Sequence, residues 1–367
     1  LREEIYKICN FWLEKGVKGF RLDVINLISK PEIFEDDYEG DGRRFYTDGH
    51  KIHEYLKELN ENSFGKYEDI ITVGEMSSTS IENCIKYSNE KEKELSMTFN
   101  FHHLKVDYKD GDKWSDMDFD FMKLKELFNS WQTEMDNGGG WNALFWCNHD
   151  QPRIVSRFGN DKEFHRESAT MLATAIHMMK GTPYIYQGEE IGMTNAYFES
   201  IDKYRDVESL NYYDILTKEK PQNEVLGVLQ KKSRDNSRTP MQWDNSENAG
   251  FSVGTPWLGV CKKYKDINAE RALEDKNSIF YHYKNLIALR KEYEIIQNGS
   301  FEIVDMANES LYVYRRKYKN QELLVICNFY GKEITCDIDL EGYTLLNSNY
   351  SLTDKNIRPY EARVYIR

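Results

Sequence analysis

No run of 18 apolar residues occurs in the sequence, so it offers no candidate transmembrane helix. The six cysteines form no CxxC pair, and most lie in apolar segments, which favours reduced, buried thiols in a cytoplasmic protein. An excess of positive charge is also missing, because 49 Lys and Arg face 62 Asp and Glu, a net charge of −13. Such a chain is a poor candidate for binding nucleic acid or an anionic membrane.

The apolar content, in contrast, is sufficient for a sizeable core, since 40% of the 367 residues are hydrophobic. This length suggests two domains, or one large domain with an appendage. Aromatic residues make up 14% of the chain and include 25 Tyr. Tyrosines suit flat polar ligands such as sugars, although core packing is their commoner use.

Predicted strands and helices alternate over the first half of the chain. Apolar strands are predicted at 19–25, 69–75, 95–101, 141–147 and 183–186, and helices at 2–15, from 79, at 121–131 and at 164–180. This alternation indicates a parallel sheet covered on both faces. Residues 195–275 are expected to be irregular, and one more amphipathic helix is predicted at 278–292.

The pattern changes near residue 296. Short strands are predicted at 301–304, 311–318, 322–329, 333–338, 343–347 and 362–366, which indicates a small antiparallel β domain. At the opposite end of the chain, Ile5, Cys9 and Trp12 are expected to pack the first helix beside the first strand. That helix has no capping residue at its start, which predicts that the chain is part of a longer protein.

Three acidic residues stand at the predicted carboxyl ends of separate apolar strands: Asp23, Glu75 and Asp150. An ionised carboxylate there is costly unless it is paired or used, and strand-end side chains of parallel α/β barrels are typically catalytic. Any one of them could equally be a structural ion pair or a helix N-cap, but three on three strands favour function. Arg21 is expected on the same side of its strand as Asp23, which it would keep ionised.

The neighbours of the other two acids suggest separate roles. Val73 and Met76 would desolvate the Glu75 carboxyl and raise its pKa, which suits a general acid. His149 could donate to a substrate hydroxyl, although a single histidine is more often a core residue. Two carboxylates flanking one bond are typical of glycoside hydrolysis, and a third can stabilise an oxocarbenium-like transition state.

The segments around these residues resemble the signature segments of α-amylase-type glycoside hydrolases, which are (β/α)8 barrels that act with retention. The matching segments are Gly19–Asn26, Val73–Met76 and Asn148–Asp150, in the order and spacing of the family's fourth, fifth and seventh strands. Ser237–Trp243 resembles the α-glucosidase branch.

The resemblance implies a role for each acidic residue: Asp23 as nucleophile, Glu75 as acid/base and Asp150 as transition-state stabiliser. It also implies sugar contacts for a group of basic residues: Arg21, His149, and Arg234 or Arg238. The fold it implies is α/β, a partial (β/α)8 TIM barrel (strands four to eight) at 1–295 followed by an antiparallel β-sandwich domain at 296–367. Activity is therefore expected of a longer protein rather than of this piece alone.

A basic loop after the third predicted strand bears on the substrate. His103, Lys105 and Lys113 could face a phosphate, whereas a solvated loop with incidental lysines is the plainer alternative. The resemblance favours hydrolysis of a phosphorylated disaccharide, α,α-trehalose 6-phosphate, to glucose and glucose 6-phosphate. Two alternatives stay open: a glucosidase for neutral α-1,6- or α-1,4-linked oligosaccharides, and an inactive amylase-like protein used for interaction. No cofactor or metal is expected, and the sequence does not predict the oligomeric state.

Overall fold

The computed structural model describes residues 1–351 and 355–367, so residues 352–354 of the predicted β domain lie outside it. The described helices are α1 (Arg2–Glu14), α2 (Ile52–Asn62), α3 (Ile81–Ser88), α4 (Phe121–Gly138), α5 (Ile154–Arg157), α6 (His165–His177), α7 (Val207–Leu216), α8 (Gln222–Lys232), α9 (Asp235–Arg238), α10 (Ala269–Glu274), α11 (Ile279–Glu292) and α12 (Glu294–Asn298). The described strands are β1 (Gly19–Leu22), β2 (Ile71–Glu75), β3 (Met97–Phe99), β4 (Ala143–Leu144), β5 (Thr182–Pro183), β6 (Ser300–Ile303), β7 (Leu311–Tyr318), β8 (Gln321–Asn328), β9 (Ile334–Thr335), β10 (Thr344–Ser348), β11 (Asn356–Ile357) and β12 (Ala362–Ile366). Among these helices, none has the length and apolar character needed to cross a membrane.

The chain forms two compact units. The first unit comprises residues 1–104, 126–144 and 180–182, and the second comprises residues 105–125, 145–179 and 183–367.

The first unit is built on parallel strands that follow one another in sequence order. β1 pairs with β2 and β2 with β3, both in parallel. A parallel bridge between Thr98 and Asn142 continues this order towards β4, and the Thr182 N–H donates to the Asn142 carbonyl at 2.9 Å. These pairings agree with the predicted alternation of strands and crossover helices. The helices bury apolar residues such as Leu56, Tyr87 and Trp131 in a common core.

The second unit contains the predicted antiparallel strands. They form a five-stranded sheet in the order β10-β12-β8-β7-β6, with β9 and β11 paired separately. Leu311, Val313 and Ile326 pack into one core cluster, while the Tyr314 hydroxyl from the alternate face donates to the Ala175 carbonyl of α6 at 2.8 Å. Both faces of this sheet are therefore covered.

One buried arginine satisfies carbonyl groups at the end of α6 and around the end of α12, where helices leave carbonyls without an intrahelical partner. The side chain of Arg316 on β7 is fully buried and donates to the carbonyls of Met178 (2.6 Å), Ile296 (3.1 Å), Gly299 (2.5 Å) and Ser300 (2.8 Å). These bonds connect the end of a helix, the turn after α12 and the edge of the β-sheet through one guanidinium.

The structure corrects the prediction for α1. Ile5 and Trp12 are 41% and 49% exposed, and they do not form the packing face. Cys9 packs against the core as predicted, but its companions there are Tyr6 and Leu13. The predicted face and the observed face both have helical spacing. The observed face packs because α1 also contacts α2, where the Asn10 amide donates to the Asn62 carbonyl at 3.0 Å.

The expectation that residues 195–275 are irregular was wrong in part, because this region contains α7, α8, α9 and α10. Asp206 caps α7 by accepting from the Ser209 N–H at 3.0 Å, and Asn268 caps α10 in the same way. These capping signals are present in the sequence, but weak apolar periodicity obscures the helices that follow them.

Replacing Arg316 by Met should destabilise the second unit strongly. Several carbonyl groups would be left buried without a donor, and each costs about 1–3 kcal/mol. Lys317→Met, on the same strand, is the matched control, because Lys317 is exposed and lies 3.6 Å from Glu302 in a surface ion pair. Urea unfolding should show a loss on the order of 3 kcal/mol or more for Arg316→Met and little change for Lys317→Met. Equal effects would contradict this role of Arg316.

Candidate active site

Two of the predicted acidic residues meet at the carboxyl ends of β1 and β2. The register pairs Arg21 with Val73 and Leu22 with Gly74, which brings Asp23, just after β1, beside Glu75, the last residue of β2. The guanidinium of Arg21 forms an ion pair with Asp23, and its Nη2 lies 2.7 Å from Oε2 of Glu75. One cation therefore bridges both carboxylates.

These two carboxylates have very different environments. The Asp23 side chain is 74% exposed and that of Glu75 is 8% exposed. Burial raises the pKa of Glu75, and the nearby Asp23 raises it further. The Val24 N–H, which donates to Oε2 at 3.2 Å, and the Arg21 guanidinium both act in the opposite direction. The site thus holds one solvated carboxylate and one carboxyl that retains its proton more readily.

Glycine at position 74 allows Glu75 to sit in this packed environment. A Cβ atom there would lie 2.5 Å from Cε of Met76, 2.6 Å from Cδ1 of Leu95 and 3.1 Å from Cγ2 of Ile25. Met76 and Ile25 are buried, so these neighbours have little room to move. The absence of a side chain at residue 74 is therefore a packing requirement of the site.

In the second unit, Asp150 faces the two predicted arginines. Nη2 of Arg238 donates to Oδ1 of Asp150 at 2.6 Å, and Nη1 of Arg234 lies 3.5 Å from the same oxygen. Arg238 also donates through Nε to the carbonyl of His149 at 2.8 Å. Asp150 was predicted at the carboxyl end of the fourth strand. That position was wrong, because β4 ends at Leu144 and Asp150 lies in a turn beyond it.

Lys113 belongs to the same network of charges. Its Nζ lies 2.6 Å from Oε2 of Glu208, and that oxygen lies 2.9 Å from Nε of Arg234. Lys113 is largely buried over the ring of Trp114, and desolvation lowers its pKa against the opposing effect of Glu208. A connected series of ion pairs therefore extends from Asp150 through Arg234 and Glu208 to Lys113.

The other predicted binding residues have separate surroundings. His103 is buried, with its ring 5.7 Å from that of Phe128, so it is not a loop residue open to solvent. Lys105 is exposed two residues further along the chain. His149 is 54% exposed, and its Nε2 lies 3.6 Å from Oδ2 of Asp150.

Sequence reasoning missed several residues that hold these groups in place. Glu208 lies in the region predicted to be irregular, although the Asp206-x-x-Ser209 capping pattern that includes it could have placed it in the first turn of a helix. Asn26 and Asp48 connect the segments that follow β1 and β2. Asn26 ends the signature segment Gly19–Asn26, but the sequence does not indicate its contact with Ser77, and no sequence pattern distinguishes Asp48 from an ordinary turn residue.

Comparisons with known proteins show the family of this chain. The family described as alpha amylase, catalytic domain, matches residues 1–299. The trehalose-6-phosphate hydrolase of Bacillus subtilis strain 168 is 55% identical over 377 residues, which cover 100% of this chain and 67% of that protein. The oligo-1,6-glucosidase of Bacillus cereus is 48% identical, with 100% of this chain and 68% of that protein covered.

Among solved structures, the trehalose-6-phosphate hydrolase of Bacillus licheniformis superposes with a TM-score of 0.95 at 57% identity. The match covers 100% of this chain and 68% of that one. The chain belongs to the α-amylase family of glycoside hydrolases. It spans about two thirds of the length of these relatives.

Gly74→Ala should displace Glu75, because the added methyl group would overlap Met76 and Leu95. We expect a stability loss of about 1–3 kcal/mol, as is usual for an overpacked core, together with a large fall in kcat. Gly227→Ala is the matched control, since nothing lies within 4 Å of a Cβ there and alanine favours its helix by about 0.5–1 kcal/mol. Thermal unfolding and turnover of both variants decide the matter. A Gly74→Ala protein with normal activity would contradict this packing requirement.

Proposed function

We propose that this chain supplies the catalytic carboxylates of a retaining α-glycosidase that hydrolyses α,α-trehalose 6-phosphate to glucose and glucose 6-phosphate. The observation that carries the substrate assignment is the sequence of ion pairs from Asp150 to Lys113. These ion pairs join Asp150, a proposed sugar-binding carboxylate, to the partly buried ammonium of Lys113. A neutral substrate would not need such a cation, whereas a phosphate would. The trehalose-6-phosphate hydrolases among the relatives support the same substrate.

In the proposed reaction, Asp23 attacks the anomeric carbon of the unphosphorylated glucosyl unit. Glu75, which retains its proton through burial, gives that proton to the glycosidic oxygen as glucose 6-phosphate leaves. The glucosyl–Asp23 ester is then hydrolysed by a water molecule that Glu75, now ionised, deprotonates, so the configuration is retained. The ion pair with Arg21 would stabilise the Asp23 carboxylate before it attacks and again when hydrolysis of the ester releases it.

Asp150 is proposed to stabilise the oxocarbenium-like transition state, with Arg234 and Arg238 orienting its carboxylate. Arg21 and His149 are proposed to contact the glucosyl ring. His103, Lys105 and Lys113 are proposed to bind the phosphate. Of these three, Lys113 has the strongest support, because it belongs to the Asp150 network, whereas the burial of His103 makes its contribution the weakest.

We further propose that β1–β5 correspond to strands four to eight of a (β/α)8 barrel, that residues 1–295 belong to the barrel domain and that residues 296–367 form a C-terminal β domain. The consecutive strand order and the antiparallel sheet from β6 onwards support this division. A cytoplasmic location is proposed from the six free cysteines, five of them buried, because such thiols suit a reducing compartment.

The carboxylate roles are tested by Asp23→Asn and Glu75→Gln in the full-length protein. Asp23→Asn should abolish turnover of every glucoside. Glu75→Gln should slow trehalose 6-phosphate hydrolysis by about 10²–10⁴-fold, the usual contribution of acid–base catalysis. Formation of the glucosyl ester from a dinitrophenyl glucoside should suffer much less, because that leaving group needs no proton. Asp69→Asn, at an exposed carboxylate before β2, is the control and should keep full activity. An active Asp23→Asn protein would rule out the nucleophile.

The phosphate assignment is tested by measuring KM for trehalose 6-phosphate and for a neutral aryl α-glucoside. Lys105→Ala should raise the first KM by about ten- to hundredfold, the worth of a hydrogen bond to a charged group. Lys113→Met removes the second ammonium and leaves Glu208 paired with Arg234. A similar loss that is selective for trehalose 6-phosphate is expected.

Lys109→Ala is the control for both, because Lys109 is an exposed lysine of the same loop. It should change neither KM. If the test variants lose both substrates equally, or lose neither, the phosphate assignment fails. The neutral oligo-1,6-glucosidase function suggested by the 48% identical relative then takes its place.

A further inference from the structure

A fully buried amide connects the segments that carry the two carboxylates of the first unit. Asn26 lies three residues after Asp23, and its exposure is 0%. Its Nδ2 donates to the Ser77 carbonyl at 2.9 Å, and its Oδ1 accepts from the Ser77 N–H at 2.9 Å. Ser77 lies two residues after Glu75. One side chain therefore holds both backbone groups of a residue on the neighbouring segment.

Asp48 fixes the orientation of this amide. Its Oδ1 accepts from Nδ2 of Asn26 at 3.0 Å and from the Tyr87 hydroxyl at 2.6 Å, while Oδ2 accepts from Thr79 at 2.9 Å and from Asn83 at 3.0 Å. The Asp48 N–H also donates to the Asn26 carbonyl at 3.0 Å. Four side-chain donors thus hold the carboxylate, which in turn fixes which end of the Asn26 amide faces Ser77.

The clamp formed by Asn26 and Asp48 bears directly on Glu75 through Val24. Val24 has a φ of 35° and a ψ of 44°, a left-handed conformation that is unfavourable for a β-branched residue. In this conformation its N–H donates to Oε2 of Glu75 at 3.2 Å. Strained backbone persists only where its surroundings fix it, and Asn26, two residues further on, is the point at which this turn is fastened.

We propose that Asn26 is a positioning residue that sets the separation of Asp23 and Glu75 by clamping the segments after β1 and β2. It also holds the Val24 N–H on Glu75. This inference rests on the proposed roles of the two carboxylates. It assigns Asn26 no contact with substrate, and Asp48 acts through Asn26.

The test is the pH dependence of kcat/KM for phenyl α-glucoside in the full-length Asn26→Ala protein. This substrate is neutral, so the test does not depend on the phosphate assignment, and its poor leaving group needs the proton of Glu75. Arg21 and Asp23 are the charged groups that face Glu75 within the first unit. Losing the Val24 N–H would remove a hydrogen bond that favours ionised Glu75, so Glu75 would keep its proton to higher pH. The alkaline limb should therefore move upwards by about half a pH unit or more, with kcat falling about tenfold or more.

Asn89→Ala is the matched control. Asn89 also joins two segments of the first unit, donating to the Gly138 carbonyl at 2.8 Å and accepting from the Lys91 N–H at 3.0 Å. Its loss should reduce stability without moving the pH profile. If Asn26→Ala behaves in the same way, with a lower Tm and an unmoved alkaline limb, the clamp is merely structural and the proposal is wrong.

A second measurement needs no turnover. Hydrogen exchange of the Val24 amide and the NMR titration of the Glu75 carboxyl carbon should both change in Asn26→Ala and stay unchanged in Asn89→Ala. Unchanged exchange and titration in folded Asn26→Ala would overturn the proposal even if the carboxylate roles hold. A change in both alongside an active Asp23→Asn protein would instead mean that the clamp exists and the proposed function is wrong.

Discussion

The bridge from Arg21 to Asp23 and Glu75 is the interaction on which the candidate active site depends. Two carboxylates at neighbouring strand ends repel each other, and this repulsion would favour protonation or separation. The guanidinium keeps both in place, and their different burial then gives them different chemistry. The exposed Asp23 suits attack on a sugar ring, while the buried Glu75 suits holding a proton. The parallel register of β1 and β2 and the small Gly74 make this arrangement possible.

In the second unit, the candidate carboxylate Asp150 is also held by cations, and more charged residues take part. Asp150 has two arginines beside it, and the excess positive charge of this pair is balanced by Asp206 and Glu208. Glu208 also holds the ammonium of Lys113. Acidic and basic residues therefore alternate along these ion pairs. In a chain of net charge −13, this alternation allows cations to remain partly buried near a carboxylate. A bound phosphate would add a second acceptor for an ammonium that has three donors.

The sequence was sufficient to predict Asp23 and Glu75 at neighbouring strand ends, the raised pKa of Glu75 and the antiparallel strands of the second unit, because each depends on local periodicity or on neighbouring residues. It did not predict which face of α1 packs, since Ile5 and Tyr6 both belong to helical patterns and only the core selects between them. It also missed the partners of Lys113 and the bond from Val24 to Glu75. These contacts join residues 95 and 51 positions apart, so no local pattern could indicate them. The roles of the site residues remain predictions.

The most direct test of the account is covalent trapping at the proposed nucleophile. The full-length protein would be treated with an activated fluorinated α-glucoside that forms the glucosyl ester faster than it hydrolyses, and the labelled peptide would be identified by mass spectrometry. We expect one fluoroglucosyl group per active site, attached to Asp23, and no label in Asp23→Asn. A label on Glu75 or on another residue, or turnover with inversion and no label, would contradict it.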